Sequence, residues 1–435
     1  MAERKDNYRG KHRKLNTGEY QGKDGRYVYY YKDATGKQCK VYSWTLMDTD
    51  VPPKGKKAGK SLRTLESEIQ DLLSKGIDVR KSEKLTLNQA FETNITLRDI
   101  RETTKTNYIY MYNKFIKPVF GSRILSTITN SEIKTFYTQL ETKSGLKKST
   151  IQTLQTILYP IFEQAIADDI MIKNPCKLAL KGTKKEWSTK DSFTRSQQDR
   201  FMEFVKERKE QYQSWVNMLI VFLYTGFRVG ELVGLTWRDI DFKHNKITIN
   251  HQVHYGLCED GKCRKSILPP KTKNSNRTIT IADKEVMDAI IDEKRRQMES
   301  GIFCSDTIDG YILDTDGITK IPVSMTNFIF LNRFGNVQLP HNTNKAFERI
   351  RKDYNEWETE QAKKEHREPI IMPHFSNHTL RHTSVTRDCE AGMNPAVNAY
   401  RKGHDITTMM TIYNHLQSDF EEEETRRIQN KSKIG

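Results

Sequence analysis

A basic segment with little apolar periodicity, residues 177 to 191, divides this chain and most constrains its fold. It contains five lysines: Lys177, Lys181, Lys184, Lys185 and Lys190. Such a stretch cannot bury enough apolar surface to belong to a core, so we expect an exposed linker over residues 176–191. The 435 residues then fold as separate domains on either side of it, in keeping with a usual domain size of about 100–200 residues.

The stretch before this linker, residues 85–175, has the apolar spacing of a helical bundle. Thr129 and Glu132 form a predicted capping box, in which each side chain bonds the backbone N–H of the other residue. Pro160 predicts a kink in the longest helix, and Pro175 predicts its end. The residues expected inside the bundle are Ile109, Tyr112, Ile116 and Val119, then Ile133, Phe136, Tyr137 and Leu140, then Ile151, Leu154, Leu158, Ile161, Phe162 and Ala165.

The N-terminal residues 1–76 predict a small antiparallel sheet beside one helix. Residues 26–31 and 40–44 are aromatic and strand-like, and a turn signal precedes each of them. We expect a three-stranded sheet, then a helix that Ser61 caps and Gly76 ends. The first 60 residues hold 15 Lys and Arg against 7 Asp and Glu, so half of the net charge of +16 lies here.

Residues 192–435 predict a mixed α+β domain with a C-terminal tail. Residues 215–224 are apolar enough for a buried helix, and the alternating segments 246–253 and 277–281 predict strands. Helices are expected after residue 282, apart from a short strand over residues 328–331. The predicted fold class is therefore multidomain and mainly α, with small β-sheets.

Composition narrows the class of protein further. A pI near 9.3 favours a polyanionic partner, nucleic acid first, over a generic basic cytosolic protein. The six cysteines include one closely spaced pair, Cys258 and Cys263, which argues against a disulfide framework and for a reducing cytoplasm. The longest apolar run, residues 217–227, is far shorter than the roughly 20 residues that span a bilayer, and no apolar segment follows the basic N-terminus. We expect neither a signal peptide nor membrane insertion.

Two segments of the third domain place basic side chains where they can reach a phosphate. Arg228 follows Gly226, the expected end of the buried helix, so its planar guanidinium can bind two phosphate oxygens while Glu231 orients it. Lys271 and Lys273 lie on a polar loop between two strand-like runs, where a mobile lysine can protonate a leaving oxygen. Taken singly, both segments also fit ordinary surface turns.

A third segment combines histidine with arginine. His378 and Arg381 are spaced i, i+3 at the start of a helix that begins near residue 376, and helix N-termini favour anions. The four-residue spacing of His374, His378 and His382 also fits zinc ligands. We expect no metal site, because the glutamate of a HExxH motif is missing.

The fourth segment ends in a tyrosine. Gly403 and His404 precede Asp405, which can cap a helix that carries Tyr413 about two turns later. Alone, such a tyrosine is usually a packing residue. In order, the four segments contain Arg, Lys, His-x-x-Arg, Gly-His and a Tyr nine residues after that His.

This series resembles the active site of the tyrosine recombinase (phage-integrase) family, with motifs over residues 192–415. The bundle at 85–175 resembles the family's core-binding domain. The basic N-terminal sheet, with KDGRYVYYY and VYSW, resembles the arm-binding domain of conjugative-transposon integrases, and the segment from His378 to Pro395 strengthens that closer resemblance.

The resemblance implies a site-specific DNA recombinase that cuts and rejoins strands through a 3′-phosphotyrosine, to integrate and excise a mobile element. Tyr413 is then the nucleophile and Lys271 the general acid, with Lys273 as the alternative. The implied phosphate ligands are Arg228, Arg381, His378 and His404, with Glu231 supporting Arg228. Lys402 departs from the pattern, because many relatives have an apolar residue before Gly-His.

The implied partners are double-stranded DNA at core-type, arm-type and target sites, three further copies in a tetramer, and an excisionase-type accessory protein. Because two Arg and two His can neutralise the transition-state charge, we expect no metal ion. The 3′-phosphotyrosine keeps the bond energy and the sequence has no GxxxxGK(S/T) loop, so we expect neither ATP nor another cofactor. A bacterial, nucleoid-associated cytoplasmic protein fits these partners. The expected DNA contacts outside the active site are Arg26, Lys40, Lys177, Lys181, Lys184 and Lys185.

Two other classes share some of these features. A type IB topoisomerase uses the same residues to nick and reseal one strand, but the small N-terminal domain argues against it. A DNA-binding or architectural protein without catalysis leaves the ordered Arg-Lys-His-Arg-His-Tyr series unexplained. Covalent trapping on DNA and a two-site recombination assay discriminate among the three.

Overall fold

The computed structural model describes residues 6, 12–33, 36–57, 59–180, 192–257, 262–271, 275–314, 316–411 and 413. They belong to two units, residues 1–186 and 187–435. Both units are mainly helical with small β-sheets, as the sequence predicted. In the described ranges no helix is both long enough and apolar enough to cross a membrane.

The first unit begins with the predicted three-stranded antiparallel sheet. Its strands β1 (Glu19–Gln21), β2 (Tyr27–Lys32) and β3 (Gln38–Ser43) lie in the order β1-β2-β3. The strand alternation turns three tyrosines of β2 onto helix α1 (Leu62–Ser74), where they share a core with Leu62 and Ile69. The Ser61 hydroxyl accepts from the Thr64 backbone N–H, so the predicted cap is confirmed.

A helical bundle follows in the same unit. Its helices are α2 (Val79–Ser82), α3 (Leu87–Leu97), α4 (Glu102–Met111), α5 (Lys117–Phe120), α6 (Asn130–Thr142) and α7 (Lys148–Ala167). The capping box of Thr129 and Glu132 starts α6 as predicted. Pro160 lies inside α7 and cannot bond the Thr156 carbonyl, which instead accepts from Arg98 Nη1 at 3.4 Å.

One predicted apolar stripe in this bundle is wrong at its ends. Ile109 and Val119 are exposed, whereas Tyr112 and Ile116 between them are buried. The physical reason is a π-helical turn over Tyr112–Ile116, which joins α4 to α5. Its wider winding shifts the helix face, so a spacing of 3.6 residues no longer identifies the buried side.

The bundle also extends into the predicted linker. Cys176 is fully buried in the bundle core, and Ala179 and Leu180 pack against that core, so residues 176–180 are not an exposed linker. Lys177 itself is exposed. The predicted DNA contacts Lys181, Lys184 and Lys185 lie outside the described residues.

Within its described residues the second unit contains eight α-helices ahead of the helical segment that carries Tyr413, together with two small sheets. The helices are α8 (Arg195–Glu207), α9 (Lys209–Tyr212), α10 (Ser214–Thr225), α11 (Val229–Gly234), α12 (Lys284–Ser300), α13 (Pro340–Lys364), α14 (Asn377–Glu390) and α15 (Pro395–Lys402). The strands are β4 (Ile240–Asp241), β5 (Lys246–Ile249), β6 (Gln252–Leu257), β7 (Cys263–Leu268), β8 (Arg277–Thr280), β9 (Ile308–Leu313) and β10 (Lys320–Met325). One sheet has the order β4-β5-β8 and the other β10-β9-β7-β6.

The β9–β10 hairpin corrects the expectation that helices dominate after residue 282. Most of its side chains are exposed or half-exposed, so no strict apolar alternation marks it in the sequence. The predicted strand over residues 328–331 makes only isolated bridges, Phe328 with Thr236 and Leu331 with Val337. Its residues are buried in the core, which accounts for their apolar character.

Helix α10 is the buried centre of this unit, as predicted. It packs against α12 and α14, and ten of its twelve residues are buried. The last turn of α10 therefore ends against α14, and this junction is where the basic side chains of the candidate site meet.

Candidate active site

The site starts where α10 ends. Gly226 takes a left-handed conformation, φ 64°, that stops the helix. Arg228 is the N-cap residue of the next helix, α11. Glu231, one turn into α11, accepts from the Arg228 backbone N–H at 3.1 Å and from its Nη1 at 2.9 Å. One carboxylate thus binds both the backbone and the guanidinium of Arg228, and part of the Arg228 side chain remains exposed.

The carboxylate of Glu231 is itself fixed by a second arginine that sequence reasoning missed. Arg277 Nη2 lies 3.0 Å from Glu231 Oε2, and both side chains are fully buried. Burial by itself raises the pKa of Glu231, but Arg277 and Arg228 outweigh it and hold that pKa below its usual range. Glu231 therefore stays charged and keeps Arg228 in place.

Ser275, also missed, ties the polar loop to the site. Its Oγ accepts from Arg228 Nη1 at 2.6 Å and lies 3.3 Å from the Gly403 carbonyl, which in turn accepts from Arg228 Nη2 at 2.7 Å. The sequence offered a signal for both missed residues, since Ser275 and Arg277 end the basic loop that contains Lys271.

Arg381 on α14 lies deeper than Arg228 and is 4% exposed. It donates from Nη1 to the Gly226 carbonyl at 2.7 Å, from Nη2 to the Lys402 carbonyl, and from Nε to His404 Nε2 at 3.1 Å. All three acceptors are neutral, and no carboxylate of the described residues forms an ion pair with it. Burial, and then the charge of Arg228, lower the pKa of Arg381 to about 9, so it remains a cation at neutral pH.

His404, a predicted phosphate ligand, is uncharged in this site. Burial, followed by the charges of Arg381 and Arg228, lowers its pKa to about 3, so the imidazole is neutral. Because Nε2 accepts from Arg381, the proton of this imidazole resides on Nδ1. Nδ1 is buried and meets no acceptor among the described residues. His404 is therefore a hydrogen-bonding group of the free site and not a positive charge.

The helix that carries Tyr413 is anchored beneath this cluster. Asp405 caps it as predicted, accepting from the Thr408 backbone N–H at 2.7 Å. Met409 is fully buried in a small core with Val385 of α14 and Ala399 of α15. Tyr413 itself is half-buried and helical, and it makes no hydrogen bond with the other described site residues.

Two more predicted site residues are exposed. His378 lies in the first turn of α14, which Ser376 caps; the Ser376 backbone N–H donates to Thr379 Oγ1 at 3.2 Å. Lys271 follows β7, and since β7 and β8 belong to different sheets, its loop is a connection between sheets and not a hairpin loop. Lys273 lies outside the described residues.

Within the described ranges no three His, Cys, Asp or Glu side chains form a cluster that could hold a metal ion. This includes the histidines that were considered as zinc ligands, His374, His378 and His382.

The two predicted contacts of the N-terminal sheet lie on its outer face. Arg26 and Lys40 are exposed, and their cationic groups lie 5.1 and 5.5 Å from the centre of the Tyr42 ring. Tyr20 and Tyr30 are exposed on the same sheet. This outer face, defined by Arg26, Lys40, Tyr20, Tyr30 and Tyr42, combines cations with aromatic rings.

Models of known protein families match the N-terminal sheet domain, the helical bundle and the catalytic domain. The phage integrase family model covers residues 191–419, which is more than half of the chain. The chain belongs to the phage integrase family. The model of the DNA binding domain of Tn916 integrase covers residues 1–73, and the phage integrase N-terminal SAM-like domain covers residues 90–140.

Relatives of this integrase are similar over its whole length. It is 31% identical to the transposase from transposon Tn916 of Enterococcus faecalis, over 100% of this chain and 98% of the relative. It is 32% identical, with the same coverage, to the transposase from transposon Tn1545 of Streptococcus agalactiae. The integrase of transposon Tn1549, solved in complex with transposon right end DNA, superposes with a TM-score of 0.63 at 27% identity, over 79% of this chain and 100% of that one. This integrase is a tyrosine-type site-specific recombinase, akin to the integrases of conjugative transposons and acting in integration and excision.

Proposed function

We propose that this integrase cuts DNA at the cluster of Arg228, Arg381 and His404, with Tyr413 as the nucleophile. Tyr413 Oη attacks the scissile phosphorus and gives up its proton to solvent, and the 5′-oxygen leaves with a proton from Lys271. The product is a 3′-phosphotyrosine and a free 5′-hydroxyl. Attack by a 5′-hydroxyl of another strand reverses the step and releases Tyr413, so the bond energy is conserved without ATP.

The buried guanidinium of Arg381 is the observation that supports this proposal most strongly. A desolvated cation is costly unless an anion or strong hydrogen bonds offset the loss of water. Arg381 has three neutral acceptors and sits beside a second cation, Arg228, whose carboxylate partner Glu231 is already shared with Arg277. A phosphate supplies the missing negative charge, most of all in the five-coordinate transition state, where its non-bridging oxygens gain charge.

Glu231, His404 and His378 have separate proposed roles at that phosphate. Glu231 positions Arg228 through its two hydrogen bonds. His404 offers its Nδ1–H as a neutral donor once DNA binding opens the site, and the exposed His378 offers a second imidazole from the same helix as Arg381.

Lys271 is proposed as the general acid because its loop is fastened at the cluster. Ser275, bonded to Arg228, is four residues further along the chain, and four residues span at most about 14 Å. That limit keeps Lys271 close to the cluster, and we propose that its side chain reaches the 5′-oxygen when DNA is bound. Lys273 on the same loop remains the alternative.

The proposed DNA partners follow the domains, which we take as residues 1–76, 85–175 and 192–435. The outer face of the N-terminal sheet binds arm-type sites, while the bundle and the catalytic domain bind core-type sites, with Lys177 and the lysines that follow it along the backbone. Exchange of both strands between two duplexes needs four cleavages, which supports a homotetramer. We further propose an excisionase-type accessory protein and a nucleoid-associated, cytoplasmic location.

Covalent trapping on a nicked suicide substrate tests this proposal. Wild-type protein is expected to accumulate a protein–DNA adduct, and Tyr413→Phe to bind the same DNA with unchanged affinity and form none. Tyr400→Phe is the matched control, because Tyr400 is an exposed tyrosine on the neighbouring helix α15. Adducts that persist in Tyr413→Phe contradict the proposal. A wild-type adduct that no longer forms when EDTA is added also contradicts it, because the reaction would then require a metal ion. A wild type that relaxes DNA but does not recombine two sites supports the topoisomerase alternative instead.

A further inference from the structure

Lys402, the residue before Gly403 and His404, is a fully buried lysine at the end of α15. Its Nζ donates to the Ser384 hydroxyl at 2.6 Å and to the Thr225 carbonyl at 3.1 Å, and lies 2.8 Å from a carboxylate oxygen of Asp388. An ammonium has three donors; two of them have hydrogen-bond acceptors here, and the Asp388 carboxylate forms an ion pair with the ammonium. The lysine is therefore built into the fold and is not a surface side chain that happens to be covered.

The three partners belong to the two helices that hold the active-site arginines. Thr225 is the last residue of α10, next to Gly226, whose carbonyl accepts from Arg381. Ser384 and Asp388 follow Arg381 on α14 by about one and two turns. The side chain of Lys402 thus fastens the end of α10 to α14, on the inner side of the cluster.

The backbone of the same residue completes the junction. The Lys402 carbonyl accepts from Arg381 Nη2, and the carbonyl of the next residue, Gly403, accepts from Arg228 Nη2 at 2.7 Å. Both arginines are therefore bonded to the segment that Lys402 anchors. A displacement of this segment changes the distance between the two guanidinium groups.

Packing at Gly226 fixes the lysine stem as well. A Cβ added at Gly226 would lie 3.0 Å from Lys402 Cδ and 3.0 Å from Ser384 Cβ, closer than ordinary van der Waals contact. The left-handed turn that ends α10 is thus in direct contact with the lysine stem. An apolar side chain at position 402 can fill this space, but it offers no donor to the Thr225 carbonyl or to Ser384.

We propose that Lys402 is a positioning residue for strand cleavage, whose ammonium holds the end of α10 against α14 so that Arg228 and Arg381 face one phosphate together. The inference rests on the proposed function of that cluster. Its partner Asp388 supplies the compensating charge. Because Lys402 is buried beneath the arginines, its loss changes the rate of cleavage and leaves DNA affinity nearly unchanged.

The test replaces the whole pair, so that no unpaired carboxylate remains. Lys402→Met with Asp388→Leu is expected to fold, to bind core-site DNA within about twofold of wild type, and to cleave a suicide substrate about tenfold more slowly, since small displacements of catalytic groups cost rate. The slow rate is expected to persist when the bridging 5′-oxygen is replaced by sulfur, which needs no protonation. The matched control, Lys206→Met with Glu285→Leu, removes an exposed ion pair of 2.8 Å between α8 and α12 and is expected to cleave at the wild-type rate.

Several outcomes contradict the inference. A folded double variant with the wild-type rate shows that the ammonium positions nothing, and a slow Lys402→Met whose rate is restored by Asp388→Leu shows that it only neutralises Asp388. Rescue by the sulfur substrate assigns Lys402 to leaving-group protonation instead. Should the double variant not fold, Ser384→Ala removes one of the two hydrogen bonds of the ammonium and is expected to slow cleavage a few-fold; an unchanged rate then overturns the inference. If wild-type protein forms no adduct in the same assay, the proposed function itself has failed.

Discussion

The outer face of the N-terminal sheet and the active-site cluster offer the same kinds of side chain to phosphate in opposite surroundings. On the sheet, Arg26 and Lys40 are exposed and lie near an exposed aromatic ring. In the cluster, Arg381 is buried and bonded to two carbonyls and an imidazole, and Glu231 fixes Arg228. The cations on the sheet are exposed to solvent, whereas those of the cluster are largely buried and held in a hydrogen-bond network.

This difference separates binding from chemistry. Solvated cations gain affinity by releasing counterions, so their contributions are modest, roughly additive and weakened by salt. Preorganised groups in a dry site act through geometry, and removal of one group disables the others. We therefore expect small effects on affinity from the sheet and large effects on rate from the cluster.

The largest expected effect is that of removing a cluster arginine. Arg381→Ala is predicted to slow cleavage by about 10²–10³-fold while core-site affinity changes little, because one preorganised donor typically contributes that much to stabilising a transition state. Single-turnover cleavage and gel-shift titration on one substrate measure both quantities. Arg195→Ala, at an exposed position in α8, is the control. Parallel losses of affinity and rate in Arg381→Ala argue that this arginine is an ordinary binding residue.

Lys271→Ala is predicted to slow cleavage by about 10²-fold, because the 5′-oxygen then leaves without a proton. A substrate with sulfur at the bridging 5′ position needs no proton, so it is expected to restore the rate of Lys271→Ala and not that of Arg228→Ala. Rescue of Lys273→Ala alone identifies Lys273 as the acid. If sulfur rescues neither lysine variant, a histidine becomes the better candidate.

Deletion of residues 1–76 tests whether the N-terminal sheet contributes to DNA binding and not to cleavage. The shortened protein keeps the whole active-site cluster, so we expect it to cleave short core-site substrates near the wild-type rate. It is expected to lose arm-site binding and to show a shallower dependence of DNA affinity on salt, because fewer phosphates are neutralised. Arg26→Ala and Lys40→Ala are each expected to reduce the salt slope by about 1. Loss of all core-site cleavage means that the boundary or the assignment of this module is wrong.

The last expected effect is on stability, through His404. Its pKa falls from 6.5 to about 3 in the folded protein, so between those values the unfolded chain binds a proton that the folded protein does not. The free energy of unfolding therefore decreases as pH falls below 6.5, by up to about 1.4 kcal/mol per pH unit from this group. Urea unfolding from pH 7.5 to 4.5 is expected to show a weaker dependence in His404→Gln than in wild type. An equal change in the control His341→Gln, at an exposed histidine, contradicts the assignment.

Much of the fold is local enough to be predicted from the sequence. The capping box of Thr129 and the helix stop at Gly226 depend on residues within one turn of each other. The π-helical turn at Tyr112–Ile116 and the β9–β10 hairpin were missed, because neither follows the regular spacing that marks a helix or a half-buried strand.

In the candidate site, too, contacts between residues close in sequence could be predicted, and contacts between distant elements could not. Arg228 and Glu231 are three residues apart, so their contact follows from the helix start that they share. Other contacts of the site join different elements, and no spacing in the sequence predicts them. They are those of Arg277 with Glu231, of Ser275 with Arg228, and of Lys402 with Asp388. The neutral state of His404 likewise arises from burial beside two arginines, which composition does not reveal.

Charge at the scissile phosphate provides the most direct test of the account. A methylphosphonate at that position replaces one charged non-bridging oxygen with a neutral methyl group, so a guanidinium has less charge to stabilise. If Arg228 and Arg381 act on this phosphate, the rate ratio of wild type to Arg381→Ala falls from about 10²–10³ on phosphate to near 1 on methylphosphonate. An equally large ratio on both substrates contradicts the account, because Arg381 would then act on something other than the scissile phosphate.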